Sequence, residues 1–447
     1  MEAMIKARVD KWLAGNYDEA TKNAINDLMS MNPDDLADAF YRDLEFGTGG
    51  LRGIMGVGTN RINQYTIGMA TQGFANYLIQ SFPDQLIKMA VAHDSRNNSR
   101  FFAEITANVM AANGIQVYLF ESLRPTPELS FTIRHLHCQG GVVCTASHNP
   151  REYNGYKAYF NDGGQLVPPH DKNVITEVQK IQSVDEVKWT GGEANIHMVG
   201  EEMDKAYINM VKGLSIYPDA IERQKDLKIV YTPIHGTGIT LVPQVLAAFG
   251  FSNLTLVDEQ IIPDGNFPTV IYPNPEEAEA MAMAINQAEA ENAELVLATD
   301  PDSDRVGIAI RHPKGHMQLL NGNQTAALLT WYVLQSKKEA GSLQKTDYTV
   351  KTIVTSELLK TITEHYGLHC FDTLTGFKYI GSKLGKYEAE LPAEIRNGYR
   401  SRSEAETRAA RLEHSSYYVC GGEESYGYSA ADFVRDKDGN TAAVLIA

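Results

Sequence analysis

"IKMAVAHDSRNNSRFFAEITANVMAANGIQVYLFES", residues 87–122, is the stretch whose reading decides the fold. A short apolar run stops at His93, Asp94 and Ser95, Asn98 or Ser99 is placed to cap the helix that follows, and Gly114 to end it. The run at 115–122 is then the next strand. Two apolar strands joined through a helix point to parallel pairing in an α/β sheet. The pattern continues downstream, where "PTPELSFTIRHLH" reads as a helix and "GGVVCTAS" as a third strand, so one domain is expected to close near residue 200.

The same plan recurs twice. A second round begins at "LKIVYTPIHGTG" (227–238), passes through "LTLVDE" and a helical stretch from Glu276 to Asn292, and reaches "ELVLATDPDSDRVGIAI". A third begins after Gly322 with "QTAALLTWYVLQ" and continues through "YTVKTIVTS" (348–356), "HCFDTLTGFKYIG" and "YYVCGGEESYGYS". The expected fold is therefore α/β, with three similar consecutive α/β domains at 1–200, 201–320 and 321–447. Their mixed, mostly parallel sheets are expected around a central active-site cleft, because ligands in open α/β sheets bind beyond the carboxyl ends of strands. The charged segment 393–416 reads as a solvated insertion.

Length agrees with this division, since 447 residues exceed what one core supports. A formal charge of −16 repels nucleic acid and anionic membrane, so an anionic ligand needs a local basic pocket. The first thirty residues read as an amphipathic helix, not a signal peptide, and no apolar run approaches the roughly 18 residues of a membrane span. Four cysteines without CxxC pairing fit buried thiols in a reducing cytoplasm, the expected location.

Chemistry concentrates at strand ends. In "ATDPDSDRVG", Asp300, Asp302 and Asp304 alternate along what reads as an extended loop, and hard oxygen ligands in this number suit Mg²⁺. An EF-hand is excluded, because Arg305 stands where its Gly is required and Arg311 where its Glu is required. Arg305 beside a metal site fits a bound phosphate. In "VVCTASHNPREYNGYK" (142–157), Ser147 lacks a GxSxG elbow, and His148 is badly placed for a triad base. A phosphoryl acceptor fits better, with His148 and Lys157 as proton carriers or cations.

Other loops offer groups that hold sugars and phosphates: Glu423, Glu424 and Ser425 in "GGEESYGY", Arg435 and Lys437 in "FVRDKDG", Arg52 in "FGTGGLRG", and Thr375, Gly376, Phe377 and Lys378 in "TLTGFKYIG". His235 in "YTPIHGTG" reads as a packed or capping histidine.

"FGTGGLRG", "TASHNP" with "YNGYK", "DPDSDR", "TGFKYIG" and "GEESYGY" with "VRDKDG" together resemble the α-D-phosphohexomutase superfamily over nearly the whole length, most of all its bacterial phosphoglucomutase branch. The resemblance implies a phosphoserine at Ser147 that shares Mg²⁺ with Asp300, Asp302 and Asp304. It also implies phosphate-steadying Arg305, proton-transfer or charge-stabilising His148, Lys157 and Lys437, an active-site Arg52, and sugar-gripping Glu423 and Ser425. The implied reaction interconverts glucose 1-phosphate and glucose 6-phosphate through glucose 1,6-bisphosphate. Mannose-specific members read GEMSGH where this sequence reads GEES, which favours glucose. Phosphomannomutase and phosphopentomutase specificity, a Mg²⁺-dependent sugar phosphatase and a sugar-phosphate binding fragment stay open. The superfamily's smaller fourth domain, with its phosphate-holding loop, is expected to be missing from these residues, which predicts weak substrate binding and slow turnover.

Overall fold

The computed structural model describes residues 2–47 and 49–447; Met1 and Thr48, the latter within the Gly-rich stretch 46–53, lie outside the described residues. The first sheet contains β1 (Gly50–Ile54), β2 (Lys88–His93), β3 (Gln116–Phe120), β4 (Gly140–Cys144), β5 (Tyr153–Phe160) and β6 (Ile196–Val199) in the order β1-β5-β4-β2-β3-β6. Strands β4, β2, β3 and β6 run parallel, as the helices Ser99–Ala112 and Thr126–His135 between them require. Strand β5 returns antiparallel between β4 and β1, setting Lys157 opposite Val143 on one side and Gly50 on the other. Gly155 permits this fit, since a Cβ there would lie 2.5 Å from the Thr145 carbonyl oxygen and 2.7 Å from that of Leu51. Asn98 holds the N-terminal position of its helix with φ of 64° and no side-chain cap, and Ser99 hydrogen-bonds Asp94 instead of capping.

The second sheet, β11-β10-β9-β7-β8, is built from β7 (Ile229–Thr232), β8 (Leu254–Leu256), β9 (Leu295–Thr299), β10 (Val306–Arg311) and β11 (Met317–Leu320). Strand β7 pairs in parallel with β8 and β9, while β9, β10 and β11 form an antiparallel meander. The third sheet, β13-β12-β14-β15, uses β12 (Asp347–Thr352), β13 (His369–Thr373), β14 (Tyr417–Gly422) and β15 (Tyr428–Ala430). Here β12 is parallel to β13 and β14, and β14 turns back antiparallel into β15.

One buried apolar cluster runs through all three units, joining Phe131 and Val143 to Tyr231 and Leu297, then to Val419, Phe433 and Ala443. Burying such side chains stabilises by about 1.5–3 kcal/mol each, so the cleft walls are fixed by shared packing. The N-terminal residues form separate helices at Glu2–Ala14, Glu19–Met31 and Pro33–Phe40, which pack Val9, Trp12, Ile25 and Phe40 onto Tyr65 of the first unit.

The segment 393–416 is not the solvated insertion its charges imply. Its helix Glu404–His414 lies on the third unit, with Arg411 fully buried and Arg408 paired with Asp347 through two 2.7 Å hydrogen bonds. Tyr417 donates to Glu404 at 2.5 Å, and Arg400 pairs with Glu388. Ionic partners distant in sequence let the charged face be buried. All four cysteines are buried free thiols, and among the described residues no helix is long and apolar enough to cross a membrane.

Candidate active site

A cavity of about 390 Å³ opens where the three sheets present their loops. Arg52, Ser147, His148 and Lys157 reach it from the first unit, Asp304 and Arg305 from the second, and Thr375, Gly376, Phe377, Lys378, Glu423 and Lys437 from the third.

Ser147 follows β4 and is 3% exposed, with φ of 53° and its N–H donating to Thr145 Oγ1 at 2.9 Å. Its Oγ donates to Asp300 Oδ2 at 2.8 Å and lies 3.2 Å from His148 Nδ1. Asp300, Asp302 and Asp304 are fully buried in the β9–β10 hairpin connection, each offering an oxygen within 4.8 Å of the others. They converge because the connection turns back on itself, Ser303 N–H bonding Asp300 O at 2.8 Å with φ of 53° at Ser303. The extended, alternating geometry expected for this loop is absent.

Lys157 Nζ stands 2.6 Å from Asp302 Oδ2 and 3.0 Å from Asp304 Oδ2, and Lys437 Nζ is 3.1 Å from Asp304 Oδ2. Burial, reinforced by Asp304 and Asp302, pushes Asp300 well above the ordinary carboxylate range. At Asp302 burial is overcome by Lys157, and at Asp304 by Lys157, Lys437 and Arg305, so both are held below it. Asp302 Oδ1 and Asp304 Oδ1 remain buried without hydrogen-bond partners. Unpartnered carboxylate oxygens in a cluster of hard ligands fit a divalent cation of the Mg²⁺ type. Burial, aided by the Arg305 cation, pushes His148 down to about 3, which leaves a neutral imidazole beside Ser147. Arg305 is itself ion-paired with Glu276.

On the opposite wall, Glu423 Oε1 accepts the Gly376 N–H at 2.9 Å, tying the two loops of the third unit together. Three expected sugar-binding residues are not brought to the cavity. Arg435 is fully buried, because Glu388 and, at 2.6 Å, Asp432 take up its guanidinium as ion-pair partners inside the third unit. Glu424 turns its carboxylate to Thr352 and Thr355, at 3.2 and 2.9 Å, and steadies the end of β12. Ser425 lies in the same hairpin outside the cavity wall. His235 is a packed residue, bonded to the Ile262 carbonyl and Thr269 hydroxyl.

Sequence reasoning missed several participants. Thr126 donates to Asp302 Oδ2 at 2.7 Å, fixing the acidic loop against the first unit. Asp436, between the two basic residues of "VRDKDG", accepts from Tyr159 at 2.7 Å and from cavity-lining Gln165 at 2.8 Å. Asp94 accepts Thr145 Oγ1 at 2.6 Å, and Arg96 bonds the Ser147 carbonyl. Only the polar turn "HDSR" hinted at these last two.

A hydroxyl against an acidic triad, flanked by buried cations and a neutral imidazole on three α/β units, is the kind of arrangement that metal-assisted phosphoryl transfer requires. The chain belongs to the phosphoglucomutase/phosphomannomutase family of the α-D-phosphohexomutase superfamily. Its α/β/α domains I, II and III match residues 43–185, 205–315 and 321–447. The chain is thus an isomerase of the phosphotransferase kind.

It is 32% identical over 462 residues to human phosphopentomutase, covering 100% of this chain and 71% of that protein. It is 36% identical over 400 residues to a phosphoglucomutase of Staphylococcus epidermidis (strain RP62A), covering 88% of this chain and 67% of that one. A phosphoglucomutase/phosphomannomutase family protein from Burkholderia thailandensis shares the fold with a TM-score of 0.66 at 18% identity, over 89% of this chain and 75% of that one. Paramecium pp63/parafusin in its open form gives 0.64 at 19%, over 91% and 70%.

Proposed function

We propose that this chain is a phosphoglucomutase, interconverting glucose 1-phosphate and glucose 6-phosphate through a phosphate carried on Ser147 and a glucose 1,6-bisphosphate intermediate. The observation that carries the reading is the 2.8 Å hydrogen bond from Ser147 Oγ to Asp300 of the acidic triad. Ser147 lines a cavity that Glu423 and Lys378 also line.

The phosphate on Ser147 passes to the free 6-hydroxyl of glucose 1-phosphate, forming the 1,6-bisphosphate, and the phosphate on carbon 1 of that intermediate then returns to Ser147, releasing glucose 6-phosphate. His148, whose Nδ1 lies 3.2 Å from Ser147 Oγ, is assigned to proton transfer with the attacking hydroxyl. Lys157 and Lys437, whose ammonium forms are stabilised against burial by Asp302, Asp304 and Asp436, balance charge on the transferring oxygens together with Arg305. Asp300, Asp302 and Asp304 would hold Mg²⁺, which when bound supplies charge neutralisation at the phosphoryl oxygens. Arg52, Thr375, Lys378 and Glu423 are assigned to the sugar phosphate, and Glu423 in particular to its hydroxyls.

A second reading is phosphopentomutase, favoured by the similarity to the human protein of that name across the whole chain. Both readings are tested by intact-mass spectrometry of the purified chain with Mg²⁺ and glucose 1,6-bisphosphate, beside Ser147→Ala. One added phosphate that the variant lacks is expected. Coupled assays with glucose 1-phosphate and ribose 1-phosphate then rank the sugars. Free phosphate as the main product would replace the mutase with a phosphatase.

A further inference from the structure

Arg96 does not line the cavity, yet its buried guanidinium is committed to the loop that carries Ser147. Nη2 donates to the carbonyl of Ser147 at 2.6 Å and to that of Asn149; Nη1 donates to those of Pro150 at 2.8 Å and Tyr153 at 3.2 Å. One planar fork therefore ties down four carbonyls of 147–153, a task suited to fixed donor geometry. The loop needs such a tie, because Ser147 is a non-glycine residue with φ of 53°. Asp94 holds the fork, lying 3.4 Å from Arg96 Nε and accepting the Arg96 N–H at 2.9 Å.

The guanidinium also stacks on Phe267, 5.0 Å from the ring centroid, in a loop of the second unit. That loop is pressed onto the Arg96 turn: a Cβ on Gly265 would lie 2.2 Å from Asn97 N, and Asn97 Nδ2 donates to Asn266 Oδ1 at 3.0 Å. Behind it, His235 bonds Ile262 O at 3.1 Å and Thr269 Oγ1 at 2.9 Å. The His235 turn rests in its own right on the acidic loop, since Thr237 donates to Pro301 O from its N–H at 2.8 Å and from its hydroxyl at 2.9 Å. Asp264 links His235 and Phe267, its N–H donating to His235 O and its carbonyl accepting the Phe267 N–H, both at 3.2 Å, so the acidic loop is connected through this turn to Arg96 and the Ser147 carbonyl.

We propose that Arg96, capped by Phe267, is a positioning residue that holds Ser147 Oγ in register with the acidic loop of the neighbouring unit. This rests on Ser147 being the phosphate acceptor. Arg96→Lys keeps the charge but cannot serve four carbonyls from one plane, so the loop relaxes. A shift of about 1 Å in a reacting group costs about 100-fold in rate.

The test compares wild type, Arg96→Lys and Phe267→Leu in quenched-flow intact-mass measurements of phosphate arriving at Ser147 from glucose 1,6-bisphosphate and Mg²⁺. Hydrogen exchange across 145–153 and melting curves accompany them. Arg96→Lys should slow phosphate transfer by about 100-fold and Phe267→Leu by about 10-fold, with KM for the sugar phosphate changed less than about 3-fold. Exchange should rise in 145–153 without a global rise. Transfer by Arg96→Lys within about 2-fold of wild type overturns the proposal, as does a loss that tracks KM. If Arg96→Lys does not fold, Phe267→Leu decides by the same criteria, a wild-type rate and unchanged loop exchange being refuting. If wild type itself takes no phosphate at Ser147, the proposed function fails, and loop exchange alone then judges the role of Arg96.

Discussion

Lys157→Met probes the charge balance of the acidic triad. The Lys157 side chain is 10% exposed, and its ammonium lies 2.6 Å from Asp302 and 3.0 Å from Asp304, whose side chains are 0% and 1% exposed. Methionine keeps length and apolar character but leaves the carboxylates short of a cation. Removing one partner of a buried pair costs about 3–5 kcal/mol. Lys437 remains 3.1 Å from Asp304, so the lower end applies. A deficit near 3 kcal/mol lowers the unfolding midpoint of a 150–250-residue unit by roughly 6–12 °C. With Lys157 no longer competing for Asp302 and Asp304, a divalent cation that binds the variant about 100-fold more tightly than wild type returns about 2.7 kcal/mol of the difference at saturation. Scanning calorimetry of wild type and variant, each in EDTA and in saturating Mg²⁺, should show a large deficit in EDTA that nearly closes with the metal. A deficit equal in both buffers, or one below about 1 kcal/mol in EDTA, would show that Lys157 does not counterbalance a cation site.

Glu388 accepts Arg134 at 3.0 Å, Arg400 at 2.8 Å and Arg435, joining the first unit to the third. Glu388→Gln should destabilise by about 3–5 kcal/mol in denaturant or thermal unfolding, and a loss under about 1 kcal/mol would mean solvent screens these cations. Burial pushes His93 from 6.5 down to about 4, so the unfolded chain takes up its proton first as pH falls. The stabilisation is complete above pH 6.5 and is lost toward pH 4, by about 3 kcal/mol. His93→Gln should flatten that window in a stability-against-pH profile, and an unchanged acid slope contradicts it. Glu423→Gln weakens acceptance from sugar hydroxyls and from Gly376 N–H, so kcat/KM should fall about 10- to 100-fold, from about 1.5–3 kcal/mol per charged hydrogen bond. Phosphate arrival at Ser147 should change much less; an equal loss in both would place Glu423 at the reacting phosphate.

Local signals were strong wherever chemistry and backbone coincide. The strand–turn–helix rhythm of 87–122 is carried by apolar periodicity and Gly114, and Ser147, His148, Lys157 and the three aspartates were legible because such groups rarely cluster at strand ends without a ligand. Arg435 shows the limit of that reasoning. Two residues from Lys437, it has equal claim to a phosphate by type, but the partners that capture it, Glu388 and Asp432, are known only once the chain is folded. Arg411 in the charged segment 393–416 was misread for the same reason. Arg96 and Asp436 gave little signal, because each acts on backbone or side chains far away in sequence.

The amino-acid sequence by itself determined the α/β class, the alternation of strands and helices that repeats three times, the position of the nucleophile candidate and the candidate oxygen ligands. These follow from short-range periodicity and from side-chain chemistry, which each residue carries wherever it lies. Tertiary structure alone decided that the Asp300–Asp304 connection of one sheet closes on Ser147 of another, that Lys157 and Lys437 meet there, and that Glu424 and Arg435 face elsewhere. Burial and Coulomb forces act through space, so the charge state of His148 and the balance of the triad exist only where residues from three separate stretches are packed together.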